Sequence, residues 1–123
     1  MKRLVSDKNE ERLVLYIVVD GRLSKSQRIP QAVHAAVELQ KLAEWKAGNH
    51  LETYRRWADS DKTVVCLVAR ADVLEDLAGR AAAAEFFDEV GCHGRIRTAV
   101  ALPPVARGRL DGVLDVLRGL RLA

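Results

Sequence analysis

The stretch Leu13-Val14-Leu15-Tyr16-Ile17-Val18-Val19-Asp20-Gly21 decides the fold. Seven consecutive apolar residues, rich in β-branched side chains and closed by Asp-Gly, read as a strand covered on both faces. The run is far too short to cross a bilayer as a helix. A polar loop, Arg22 to Arg28, follows it. A long helix is then expected from about Ile29 to Lys46, with Ala32, Ala36, Leu39 and Ala43 at helical spacing and Ala35 and Leu42 widening the stripe. Pro30 is tolerated in a first helical turn, which puts the helix start there, and Gly48-Asn49 stops it.

Outward from this core, Leu51 to Ala58 predicts a short helix anchored by Trp57. Thr63 to Ala69 predicts a second buried strand. Asp72, with Glu75 three residues on, predicts a capped helix whose buried face is Val73, Leu74, Leu77, Ala81 and Ala84. Phe86-Phe87 opens a short strand leading to Asp88, and Thr98 to Leu102 forms another, closed by Pro103-Pro104. A last helix carries Leu110, Val113, Leu114 and Leu117. The order β-α-α-β-α-(β)-β-α implies an α/β protein. The expected form is a three-layer sandwich with a small mixed, mostly parallel sheet of about four strands flanked by helices. No repeat or linker divides the 123 residues, so a single domain is expected, with residues 1–12 as a charged N-terminal arm.

Composition narrows the classes. Neither an apolar leader nor a spanning segment is legible, so a cytoplasmic, non-membrane protein is expected. Cys66 in a strand and Cys92 in a loop form neither a disulfide framework nor a zinc site. The net charge is only +3, but the basic residues cluster: Arg22, Lys25 and Arg28; Lys41 and Lys46; Arg55 and Arg56; Arg95 and Arg97; Arg107, Arg109, Arg118 and Arg121. Such clusters suit a phosphate backbone, because neutralising phosphates releases counterions. Alternatively they are solvated helix faces interleaved with Asp and Glu.

Chemistry is concentrated in Asp20 to Ala36, beyond the carboxyl end of the first strand, where open α/β sheets gather their sites. Gln31, His34 and Glu38 share one helix face. His34 beside a basic loop can bind a substrate or move a proton, or be satisfied by Glu38 or a carbonyl. Asp88, after the Phe86-Phe87 strand, reads by itself as an ordinary helix or turn carboxylate.

A strand ending in an Asp-containing turn, a Lys-bearing loop and a helix with Gln31-x-x-His34-Ala35-Ala36 resembles the type 2 peptidyl-tRNA hydrolases. The segment Trp57 to Val65, the helix Leu74 to Ala83 and the strand Arg97 to Pro104 are similar to further segments of that family. The resemblance covers roughly Leu13 to the C-terminus. It implies hydrolysis of the ester between a peptide and the 3′ end of tRNA, without metal or other cofactor, by a homodimer. Carried over by position, the resemblance makes His34, Asp88, Lys25 and Thr98 catalytic, with Gln31, Arg28, Asp20, Arg22, Arg95 and Arg97 on the substrate side. The sequence departs from the family at Gln27, or Arg28 if the loop shifts by one, where a second catalytic lysine is expected. Ser24 and Ser26 replace loop glycines, and Asp88-Glu89-Val90-Gly91-Cys92-His93-Gly94-Arg95 lacks the Thr-Gln of the family's Asp-bearing turn. These departures keep open a second reading, a catalytically eroded member that binds RNA or a protein partner.

Overall fold

The computed structural model describes residues 12–45, 49–79, 83–106 and 112–123. Residues 1–11 of the expected arm 1–12, and Lys46, Gly48, Ala81, Arg107, Arg109 and Leu110, lie outside the described residues. Leu13–Asp20 forms β1, Lys25–Trp45 α1, Asn49–Ala58 α2, Thr63–Ala69 β2, Ala71–Ala78 α3, Ala84–Glu89 β3, Arg95–Ala101 β4, Val105–Ala106 β5, Gly112–Arg118 α4 and Arg121–Leu122 β6. A 3-10 turn, Gly91–His93, joins β3 to β4. No helix among the described residues is long and apolar enough to cross a membrane.

The general α/β expectation holds, but the sheet differs from the expected one. Among the described residues it has six strands in the order β3-β4-β1-β2-β6, with β5 also on β1, and of their five pairings only β1–β2 is parallel. The apolar runs of β1 and β2 gave the impression of a mostly parallel sheet. What they encode is burial, and the second half of antiparallel β4, Thr98 to Ala101, is buried as well. On one face Leu15, Ile17 and Val19 pack against Ala32, Ala35 and Leu39 of α1 and Trp57 of α2. On the other, Val18, Leu67, Ala69 and Val100 meet Leu74 and Leu77 of α3 and Leu117 of α4. Trp57 also donates its indole N–H to the Thr63 carbonyl at 2.8 Å, tying α2 to β2.

Several local expectations are corrected. Helix α1 begins four residues early because Ser24-Lys25-Ser26-Gln27 is a capping sequence: the Gln27 side chain accepts the Ser24 backbone N–H at 2.9 Å, and the Gln27 amide returns to the Ser24 carbonyl. Pro30 therefore sits in the second turn, where the Ser26 carbonyl lacks the amide that proline cannot supply. Asn49 opens α2 rather than stopping α1. Asp72 is not the cap of α3; Arg70 holds that place, and no side chain caps the helix. Ala84 belongs to β3, not to that helix. After Pro103-Pro104 the chain pairs with β1 again as β5, which the sequence reading lacks along with β6.

In the β3–β4 hairpin, Phe86 faces Ala99 but Phe87 faces Arg97, so Thr98 is an extra residue, a β-bulge. Ala84 and Phe86 lie on the α1 side, and Asp88 continues that alternation. On α1, Ile29, Val33 and Val37 form an exposed apolar stripe four residues apart, beside exposed Val64 of β2.

Leu74 is fully buried in the α3-side core. Leu74→Ala is expected to lower unfolding free energy by roughly 2–5 kcal/mol in denaturant titration.

Candidate active site

The carboxyl ends of β1, β2 and β3, the amino end of β4 and the start of α1 share one edge of the sheet. Here α1 is tied to the β3–β4 hairpin by three side chains. Gln31 donates from Nε2 to Asp88 Oδ2 at 2.9 Å. Its Oε1 accepts the Thr98 hydroxyl at 2.6 Å. That hydroxyl is also 3.2 Å from the Phe86 carbonyl. An ionised carboxylate only accepts hydrogen bonds, so the Gln31 amide must present its NH₂ to Asp88 and its oxygen to Thr98. The bulge is what turns Thr98 toward the helix.

Asp88 also accepts the Glu89 backbone N–H at 2.8 Å. The Gln31 hydrogen bond, this backbone bond and the nearby charges of His34 and Arg95 hold its carboxyl below the ordinary value of 3.8. Asp88 is therefore a fixed negative charge and a poor proton acceptor.

His34, one turn beyond Gln31, is exposed and stacks on Phe86, with ring centroids 4.5 Å apart and planes 21° from parallel. Glu38 does not satisfy it; that carboxylate pairs with Lys41 at 3.4 Å. The stack fixes the imidazole plane while leaving the ring edges open to water or substrate. Phe86 was missed as a site residue. Its position two residues before Asp88 on one strand was the available signal, since that spacing puts both on one face.

A second pair lies at the end of β1. Asp20 is 1% exposed and accepts three bonds from Arg22: the backbone N–H at 2.8 Å, Nε at 3.0 Å and Nη2 at 2.7 Å. Burial alone would raise its pKa, but these bonds and the Arg22 charge, with a smaller contribution from His93, outweigh it and bring it below the usual range. The β3–β4 turn that brings His93 there has Gly91 and Gly94 at φ +48 and +70, a backbone region glycine adopts without strain.

The remaining expected residues are placed elsewhere or in other roles. Thr98 is fully buried, so it positions Gln31 and does not touch a substrate. Asp20 is likewise too buried to meet RNA and instead orients Arg22. Lys25 is exposed at the first position of α1, with no hydrogen bond or ion pair among the described residues. Arg28 donates Nε to the Leu23 carbonyl at 3.3 Å, and its charge is felt by Cys66 of β2. Asp88 thus faces Gln31 and His34 rather than Lys25 and Arg28. Arg95 and Arg97 lie 5.8 and 5.0 Å from the centre of the Phe87 ring, and Arg97 is paired with Glu85. No group of three His, Cys, Asp or Glu side chains converges among the described residues as a metal site would need.

The chain matches no protein-family model and no curated protein.

Two outcomes are expected from this geometry. Gln31→Ala leaves the buried Thr98 hydroxyl without its shortest partner and should cost about 1–3 kcal/mol of stability by thermal or chemical unfolding. The lowered Asp88 value means that its contribution is complete above the unfolded value and is lost as pH falls through the lower native one. Asp88→Asn should therefore flatten the fall in stability on the acid side, leaving the slope near neutrality unchanged.

Proposed function

We propose that the protein hydrolyses the ester between a peptide and the 3′ end of tRNA, in the manner of a type 2 peptidyl-tRNA hydrolase, at a cytoplasmic site of action. The observation that carries this reading is the Gln31–Asp88–Thr98 set with His34 one helical turn away. It joins, across 57 and 67 residues of chain, groups that the sequence resemblance assigns to one site. His34 takes a proton from a water as that water attacks the ester carbonyl. Asp88 stabilises the imidazolium that forms, and the same proton then passes to the 3′ oxygen as the carbon–oxygen bond breaks. Gln31 and Thr98 hold the Asp88 carboxylate in place. Arg22 and Arg95 lie near this edge as candidate contacts for the tRNA phosphates, without sequence readout. The homodimer implied by the resemblance has a candidate surface in the exposed Ile29, Val33 and Val37 stripe.

The Asp88 carboxylate is held by Gln31 and the Glu89 amide beside the charges of His34 and Arg95, without Lys25 or Arg28 among them, which favours a second reading, retention of the fold for RNA binding without hydrolysis. Release of free tRNA from an N-blocked aminoacyl-tRNA separates the two. Under the hydrolase reading, wild type turns over, and His34→Ala loses roughly 10²–10⁴ of the rate while remaining folded. Absence of turnover in wild type, with salt-sensitive tRNA binding, rejects hydrolysis and leaves the binding reading.

A further inference from the structure

Beyond the carboxyl ends of β1 and β2, between the start of α3 and the turn into β6, lies an open cavity of about 620 Å³. That volume is within the range of pockets that enclose small molecules. Its lining includes three arginines, Arg22, Arg70 and Arg121, and an apolar portion supplied by Val68, Val73 and Leu120. None of these residues belongs to the Gln31–Asp88 set.

The charge in this cavity is arranged for an anion. Among the described residues Asp20 is the single carboxylate of the lining, and it is 1% exposed behind its bonds to Arg22. Those bonds use Nε and Nη2 of the guanidinium. They fix its plane and leave Nη1, with two N–H donors, unbonded among the described residues. A guanidinium held from behind in this way has lost its rotamer freedom before a ligand arrives, and its fork matches phosphate oxygens. Arg70 stands at the start of α3, which no side chain caps; its one ion pair among the described residues is an exposed contact with Asp72. Arg121 is exposed and has no ion pair among the described residues. The volume far exceeds a phosphate, and the Val68, Val73 and Leu120 portion suits a flat apolar group.

We propose that this cavity binds a nucleoside 5′-monophosphate unit, its phosphate on Arg22, Arg70 and Arg121 and its base against Val68, Val73 and Leu120. A free nucleotide and the end of an RNA strand present this same chemistry. The inference does not rest on the hydrolase reading: of its residues only Arg22 figures there, as a candidate tRNA contact, and the test is read by binding alone.

The test is titration of the full chain with adenosine 5′-monophosphate, adenosine and a short 5′-phosphorylated RNA, followed by calorimetry and by backbone amide shifts at Ala71, Gly119 and Leu120. Adenosine monophosphate should bind at least tenfold tighter than adenosine. Arg121→Ala and Arg70→Ala should each weaken it by roughly ten- to a hundredfold, the loss expected for a charge-assisted contact. Lys41→Ala serves as the surface control and should bind as wild type does. Arg22→Ala would strand the buried Asp20 charge, so Arg22→Lys, which keeps the charge and loses the fork, replaces it and should also weaken binding. Equal affinity for nucleotide and RNA marks a free-nucleotide site, and much tighter RNA binding marks a strand end. Either supports the proposal. Absence of shifts at these amides with both ligands, or shifts unchanged in Arg70→Ala and Arg121→Ala, overturns it. Peptidyl-tRNA turnover does not enter this readout.

Discussion

The carboxamide of Gln31 is the joint on which the described site depends. It offers two donors at one end and an acceptor at the other, and its two neighbours leave no choice of orientation. Asp88 can only accept, and the Thr98 hydroxyl has a proton to give. One side chain therefore fixes the rotation of α1 against the β3–β4 hairpin. His34 follows from this placement, since one helical turn carries it onto the Phe86 ring. The Gln31–Thr98 half of the arrangement lies out of water, where such bonds are strong and an unpaired member is costly.

The two carboxylates at this edge share a chemical condition and differ in what they hold. Both are kept ionised by hydrogen bonds donated to them. Asp20 spends its lone pairs on a guanidinium and sets the direction of a cation. Asp88 spends its own on an amide and a backbone N–H and leaves its charge beside an imidazole. Neither is poised to carry a proton. Among the described residues of this edge, the exposed imidazoles are His34, beside Asp88, and His93, on the β3–β4 turn beside Asp20, so acid–base chemistry next to Asp88 falls to His34.

Much of the fold was legible where burial left a periodic trace. The β1 and β2 runs, the stripe of α1 and the Trp57 anchor all follow from it. Strand direction was not legible, because a strand covered on both faces is apolar whichever way its neighbour runs; Ala99, Val100 and Ala101, the part of β4 that pairs with β1, demonstrate this. Two-residue strands such as β5 and β6 are too short for any period. The start of α1 was legible in Ser24-x-x-Gln27, a capping pattern that lies within the segment read as a loop by its polarity. Of the site, Gln31, His34, Asp88 and Thr98 could be named from the sequence, but not their relations. The contact between Thr98 and Gln31 depends on a bulge, and a bulge changes which face a residue meets without altering the composition of the strand.

That bulge separates the architecture from the chemistry. Ala99 pairs with Phe86 and Arg97 with Phe87, so every rung of the β3–β4 ladder is filled without Thr98. Excising that one residue would leave a regular hairpin with Arg95, Ile96 and Arg97 facing the same sides as before. Thr98 is surplus to the ladder, an insertion whose hydroxyl serves the Gln31 amide and, at longer range, the Phe86 carbonyl. A lineage could gain or lose this half of the amide's anchorage by a single codon, with the surrounding strands undisturbed.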